Sequence, residues 1–147
     1  MKAIKMYGSF AFLLGIVAVL CSSCSKAGIT QPDFQTAYQK WQSNSPSNYT
    51  IVQELYCNCA DAMQPMLVTV QADTIASVMK ISDSTMVLNS GCVTIDSLFS
   101  LIQNPKGDSI TATYSTVYGY PEDVQVNPQL LPSHGGVRYI TSNLHAQ

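Results

Sequence analysis

Two rhythms of apolar and polar residues alternate along this chain. From Asp33 onward, Phe34, Ala37, Tyr38 and Trp41 fall at the i, i+3, i+4, i+7 spacing of one helical face, with Asp33 placed to cap the first turn. Residues 43–48, SNSPSN, end that helix with turn formers and a proline. The rhythm then shortens to two. Residues 49–56, YTIVQELY, read as a strand, and after Pro65 a second run places Met66, Val68 and Val70 on one face. Ala72-Asp73 makes a tight turn into a third strand over residues 74–81, and the polar stretch 82–91 reads as a loop. The helical spacing returns with Ile95, Leu98, Phe99 and Ile102 behind Thr94 as N-cap, and Asp96 suits the positive first turn. Asn104-Pro105-Lys106-Gly107 stops it. Ile110, Ala112 and Tyr114 then alternate with threonines, residues 119–123 (GYPED) read as a turn, and strands are expected over 124–127 and 137–143.

The order is helix and three strands, twice over. It predicts an α+β domain of residues 33–147 with two helices on one face of an antiparallel sheet, a tandem helix-plus-three-strand plan.

The first thirty residues follow neither rhythm. Lys2 and Lys5 precede an apolar run from Phe10 to Cys21, too short for the roughly 20 residues that span a bilayer core. Charge, length and small-residue exit suit a secretory signal over residues 1–23. Cys21-Ser22-Ser23-Cys24 resembles a bacterial lipobox, which makes Cys24 the lipidated N-terminus and residues 24–32 a short tether. Leu20 stands one place farther from Cys24 than a lipobox leucine usually does. An uncleaved anchor, or a C-x-x-C redox or zinc pair, is the competing reading. The second lacks the strand-to-helix turn or the partner knuckle such pairs need.

Location then changes what composition allows. Cleavage removes Lys2 and Lys5, leaving five of the seven basic residues against nine acidic ones, a net charge of about −4. The remaining Lys26, Lys40, Lys80, Lys106 and Arg138 are scattered, so nucleic acid is not an expected partner. The expected setting is the cell envelope, with the membrane held through the N-terminal lipid. Ser25 follows Cys24 where an inner-membrane retention aspartate would stand, which favours the outer membrane in a two-membrane cell.

Several stretches together resemble a known family. Trp41 and Tyr49-Thr50-Ile51 precede Cys57-x-Cys59. Pro65 introduces Val68-Thr69-Val70, and Thr94-Ile95-Asp96-Ser97-Leu98-Phe99 with Ile102 follows. Tyr114 and Gly119-Tyr120-Pro121 complete the set. Over roughly residues 41–144 the chain resembles a family of small bacterial lipoproteins catalogued only as a domain of unknown function. It departs at Ser133-His134-Gly135-Gly136, where that family tends to carry acidic residues. The resemblance implies an extracytoplasmic α+β domain and no particular activity.

Candidate chemistry centres on Cys57, Cys59 and Cys92. A zinc site could draw on these with His134 or His145, but the mature domain has no C-x-x-C knuckle. A thiol–disulfide role suits Cys92, just before the second helix, better than the pair at a strand end. The expected role is a structural disulfide. Residues 57 and 59 of an extended strand lie ~6.6 Å apart, near the limit for a bond, so a link from Cys59 or Cys57 to Cys92 is favoured. The resembled family's C-x-C occurs without a third cysteine, and this keeps a Cys57–Cys59 bond open. Tyr114, Tyr118, Tyr120 and Tyr139 could gather as an aromatic ligand platform, with packing as the plainer explanation. His134 is expected in an exposed loop. No nucleophile elbow, metalloprotease helix or phosphate loop is present. No metal and no cofactor is expected. The expected function is a non-enzymatic binding or scaffolding module with an envelope protein partner. The alternatives are a thiol-disulfide or metal-dependent enzyme using the three cysteines, and an inhibitor of an envelope enzyme.

Overall fold

A computed structural model describes residues 33–88 and 90–147. The expected signal peptide, lipidated Cys24 and tether fall in residues 1–32, outside the described residues. Helix α1 (Phe34–Asn44) leads into strands β1 (Tyr49–Tyr56), β2 (Met66–Gln71) and β3 (Thr74–Lys80). Helix α2 (Ile95–Gln103) precedes β4 (Ile110–Tyr114), β5 (Pro121–Val126) and β6 (Val137–Ala146). The six strands form one antiparallel sheet in the order β3-β2-β1-β6-β5-β4, so the chain's first and last strands pair at its centre. The domain is α+β, with two helices on one face.

Local chemistry accounts for the element ends. The Asp33 carboxylate accepts from Thr36 N at 2.8 Å, and the Thr94 hydroxyl accepts from Ser97 N at 3.2 Å, each satisfying an orphan donor of a first helical turn. The β2–β3 turn holds Ala72 and Asp73 in left-handed backbone at φ 47° and 59°, the twist a two-residue hairpin needs. Neither residue is a glycine, and Asn48 offsets part of the strain by accepting from Ala72 N at 2.9 Å.

Alternation places the core. Tyr49, Ile51, Gln53 and Leu55 of β1 are buried while their neighbours are not, and Met66, Val68 and Val70 of β2 match them across the ladder. Trp41 and Ala37 of α1 and Ile95, Leu98 and Phe99 of α2 close over this face. Among the described residues no α-helix lies on the opposite face.

Three polar contacts inside the core stitch the two halves together. The Trp41 indole donates to Asp96 at 3.1 Å, Tyr49 Oη accepts from Ile95 N at 3.1 Å, and buried Gln53 pairs with Val93 by accepting from its N–H at 2.9 Å and donating to its carbonyl at 3.3 Å. The start of α2 is thus fixed against both α1 and β1. Burial pushes the Tyr49 phenol up from its ordinary 10 to about 12, opposed by its bond to Ile95 and reinforced by Asp96. The folded state therefore keeps this proton where the unfolded chain releases it, and stability is lost as pH rises from 10 through 12. Thermal unfolding followed over that window is expected to show a falling midpoint, with a shallower fall for Tyr49→Phe.

The repetition of helix and three strands is one of element order. Both meanders progress across the sheet in the same sense while their strand directions are reversed, and both helices lie on one face. No rotation superposes two such halves.

Strand boundaries differ from expectation in the second half. GYPED is not a turn: the chain reverses over Ser115–Gly119, with Gly119 N donating to Ser115 O at 2.9 Å, and Pro121 opens β5 opposite Tyr114. A proline fits the first residue of a strand, where a missing N–H costs least. Strand β6 runs on to Ala146 because Asn143 takes left-handed backbone (φ 55°) beside a register shift against β1, so pairing resumes at Thr50–His145. Within the stretch read as a loop, Met86 bridges back to Met79.

Candidate functional site

One end of the sheet gathers the residues singled out for chemistry. Strand β1 ends at Tyr56, the backbone bends over the next three residues, and Cys57 and Cys59 come to a Cα separation of 5.3 Å, bonded to each other. Cys92 is the free cysteine among the described residues. The pairing thus differs from the favoured link to Cys92, and the reason is Gln53. By holding Val93 through both its N–H and its carbonyl, it fixes the chain beside Cys92 against the buried face of β1, while the end of that strand turns back on itself through the C-x-C. The C-x-C closes a three-residue loop, which stabilises by roughly 1.6 kcal/mol in the chain-entropy picture, against about 3.8 kcal/mol for the longer loop. Its role is to shape the turn. Met63 N returns to Leu55 O at 2.9 Å, and Asp61 pairs with Lys80 at 2.6 Å, tying the turn to the end of β3.

Cys92 is poorly placed for thiolate chemistry. Burial pushes its thiol up, the Ser90 hydroxyl pulls the other way, and the Asp61 carboxylate raises it further. Alkylation of the denatured, unreduced protein followed by peptide mapping is expected to label Cys92 and leave Cys57 and Cys59 unlabelled until reductant is added.

The four tyrosines do not form a platform. Tyr114 and Tyr120 are buried, the first stacked on Phe99 (centroids 6.2 Å apart) and the second edge-on to Trp41 at 6.5 Å. Tyr139 shares the helix-covered face with its neighbours Leu55 and Val124, and burial pushes its phenol up. Tyr118, stacked on Tyr120, is the exposed member. His134 sits exposed in a short 3-10 turn, Pro132–His134, and exposed His145 lies near the far end of β6, with roughly 26 Å of strand between Val137 and His145. Among the described residues no group of three or more His, Cys, Asp or Glu stands close enough to hold a metal ion, and no helix is long and apolar enough to cross a membrane.

A connected polar cluster that the sequence did not announce lies on the open face. Tyr56 and Arg138 are direct partners across β1 and β6, with the guanidinium 5.8 Å from the ring centroid. Arg138 grips Asp123 of β5 with two bonds, Nε to Oδ1 at 2.9 Å and Nη2 to Oδ2 at 2.6 Å, which raises its already high pKa. Tyr56 Oη bonds Glu54 at 3.2 Å and Gln125 donates to Asp123 at 3.4 Å, extending the row over three strands. Beside it a cleft of about 200 Å³ opens between these side chains and the β5–β6 loop, with Pro128, Leu130 and Pro132 on its far wall. Val52, Leu67, Met79 and Ile140 occupy the same sheet face. Only the pairing of the first strand with the last brings Tyr56 to Arg138. A strand-end Tyr-Cys and a lone arginine gave no local signal.

Comparison with known families places the chain. The model of a family of unknown function, DUF6174, matches residues 33–146. The chain belongs to this family. No curated protein and no solved structure matches it. The DUF6174 match begins at the α1 cap and ends with β6, so both helices, the C-x-C turn and the Tyr56–Arg138–Asp123 row lie inside it. Family membership itself names no reaction.

Proposed function

We propose that this protein is a cell-envelope lipoprotein, lipidated on Cys24, whose DUF6174 domain is a non-enzymatic module that binds an envelope protein partner through the open face of its sheet. The observation that carries this reading is the braced row of Glu54, Tyr56, Arg138, Asp123 and Gln125 set among Val52, Leu67, Met79 and Ile140, on the sheet face that neither described α-helix covers. Tyrosine and arginine are the residue types that concentrate binding energy at protein interfaces. Here their rotamers are held by neighbours before a partner arrives, which lowers the ordering cost of association. The raised thiol of Cys92 disfavours the thiolate that nucleophilic chemistry at that position would need. The inhibitor reading drew on analogy with repeat domains, and the unlike hand of the two halves takes that support away.

Two measurements test this. Radiolabelled palmitate is expected to mark the wild-type chain and not Cys24→Ala, whose product leaves the membrane fraction. Cross-linked pull-down from membranes is expected to recover a reproducible partner with the wild type and to lose it, tenfold or more, with Tyr56→Ala plus Arg138→Ala. The exposed Arg138–Asp123 pair contributes only about 0–1 kcal/mol to folding, and an unchanged circular dichroism spectrum of the double variant separates lost binding from unfolding. Equal recovery by the double variant overturns the assignment of the face.

A further inference from the structure

The sheet has two unlike ends. At one, β1 stops and β6 starts, and this end holds the C-x-C turn, the Tyr56–Arg138 row and the cleft beside it. Exposed Met63, Ile81, Leu130 and Leu131 gather there, while Met86 and Leu88 follow the β3 edge. The β4–β5 turn, residues 115–119, stands at the other end, with roughly 17 Å of β5 between Pro121 and Val126. Its apex carries Val117 (65% exposed) and Tyr118 (43% exposed), the large apolar side chains left uncovered at this end among the described residues.

The backbone of this turn is arranged for a medium less polar than water. Ser115 Oγ accepts from Val117 N and from Tyr118 N, both at 3.3 Å, Gly119 N donates to Ser115 O at 2.9 Å, and Lys40 Nζ donates to Thr116 O. Backbone groups already paired leave water without the penalty that bars loose loops from a bilayer. Valine supplies apolar area, and tyrosine is a residue type that concentrates at the membrane interface. The long apolar stem of Lys40 lets its ammonium stay at the level of the headgroups.

The point where the chain enters the domain selects this patch over the others. Gly119 packs against the α1 backbone at Ala37 and Trp41, and Asp33 stands one helical turn, about 5.4 Å, before Ala37. Eight residues separate Cys24 from Asp33, no more than roughly 30 Å of chain even when fully extended. An anchor at Cys24 therefore keeps the turn end of the domain within reach of the bilayer. We propose that the β4–β5 turn is a membrane-contact site: Val117 and Tyr118 enter the headgroup region of the bilayer that holds the lipid, and the Tyr56–Arg138 cleft at the other end of the sheet is turned away from it. This rests on the lipid anchor proposed above and gives the anchored domain an orientation. Because the lipid already confines the domain to the surface, the two side chains act at the high effective concentration of an intramolecular contact.

The test uses the full lipidated chain reconstituted into vesicles of phosphatidylethanolamine and phosphatidylglycerol, with a photo-cross-linking residue placed singly at Val117 or at Leu131, which is 64% exposed at the opposite end. Flotation of the vesicles reports the anchor. Irradiation followed by intact mass is expected to show the addition of one phospholipid at Val117, roughly tenfold above Leu131. Tyr118→Asp, added to the Val117 chain, sets a charge at the apex and is expected to cut that adduct about fivefold or more. A chain that floats but labels no more at Val117 than at Leu131, or whose Val117 adduct withstands Tyr118→Asp, overturns the contact and leaves the anchor standing. A chain that does not float overturns the anchor, and the contact falls with it. The comparison of Val117 with Leu131 decides by itself if the aspartate variant does not fold.

Discussion

Trp41→Ala is expected to destabilise the domain by about 3–5 kcal/mol, a large part of the stability of a domain this size. Trp41 is fully buried at the meeting point of α1 and the sheet, with its ring edge-on to Tyr49 at 5.9 Å and to Tyr120 at 6.5 Å. Truncation would open a cavity between three elements and remove the donor from the Asp96 carboxylate, which is itself part of the first turn of α2. The loss therefore spreads from one helix to the other. Trp41→Phe keeps most of the aromatic contact and gives up the indole N–H, so a smaller loss of about 1–2 kcal/mol is expected. Urea unfolding followed by far-ultraviolet circular dichroism measures both, since Trp41 is the chain's single tryptophan and its fluorescence vanishes with it. A cost below 1 kcal/mol for the alanine variant would mean that α1 is not integral to the core.

Gly119→Ala is expected to cost roughly 3 kcal/mol or more, the largest effect for the smallest chemical change. Gly119 closes the β4–β5 turn at φ 84°, a conformation that a side chain disfavours by about 1–2 kcal/mol. The added methyl would also stand 2.4 Å from the carbonyl oxygen of Ala37 and 3.1 Å from the backbone nitrogen of Trp41. Neither is the flexible tip of a side chain, so relief requires α1 or the turn to move. Lys40 reinforces the contact by donating through Nζ to Thr116 O. The same unfolding assay applies. Gly107→Ala, also at positive φ but with nothing within 4 Å of the new methyl, isolates the backbone cost and is expected to lose only about 1–2 kcal/mol.

Trp41 and Gly119 also show why the fold was largely legible in the sequence. Asp33 and Thr94 announce their helices because capping chemistry is local, and β1 announces its buried face because its alternation is uninterrupted. The failures occur where a distant strand decides. Pro121 looks like a turn residue until Tyr114 is its partner, and β6 looks finished at Asn143 until a register shift against β1 carries it on. The candidate site was less legible for the same reason. Cys92 is kept from Cys57 and Cys59 by Gln53, a polar residue on the buried face of β1 whose partner lies forty residues away. The Tyr56–Arg138–Asp123 row exists only because the first and last strands are neighbours. Three of the four tyrosines, conspicuous in composition, went into packing.

The sheet face opposite α1 and α2 is the proposed binding surface. Site-specific photo-cross-linkers test it most directly, introduced singly into the full chain at Leu67 and Arg138 on that face and at Gln35 and Ser100 on the exposed sides of the helices. Irradiated in the membrane, Leu67 and Arg138 are predicted to give the same discrete adduct, and Gln35 and Ser100 none. Adducts confined to the helix positions, or absent from the sheet positions, would contradict the account.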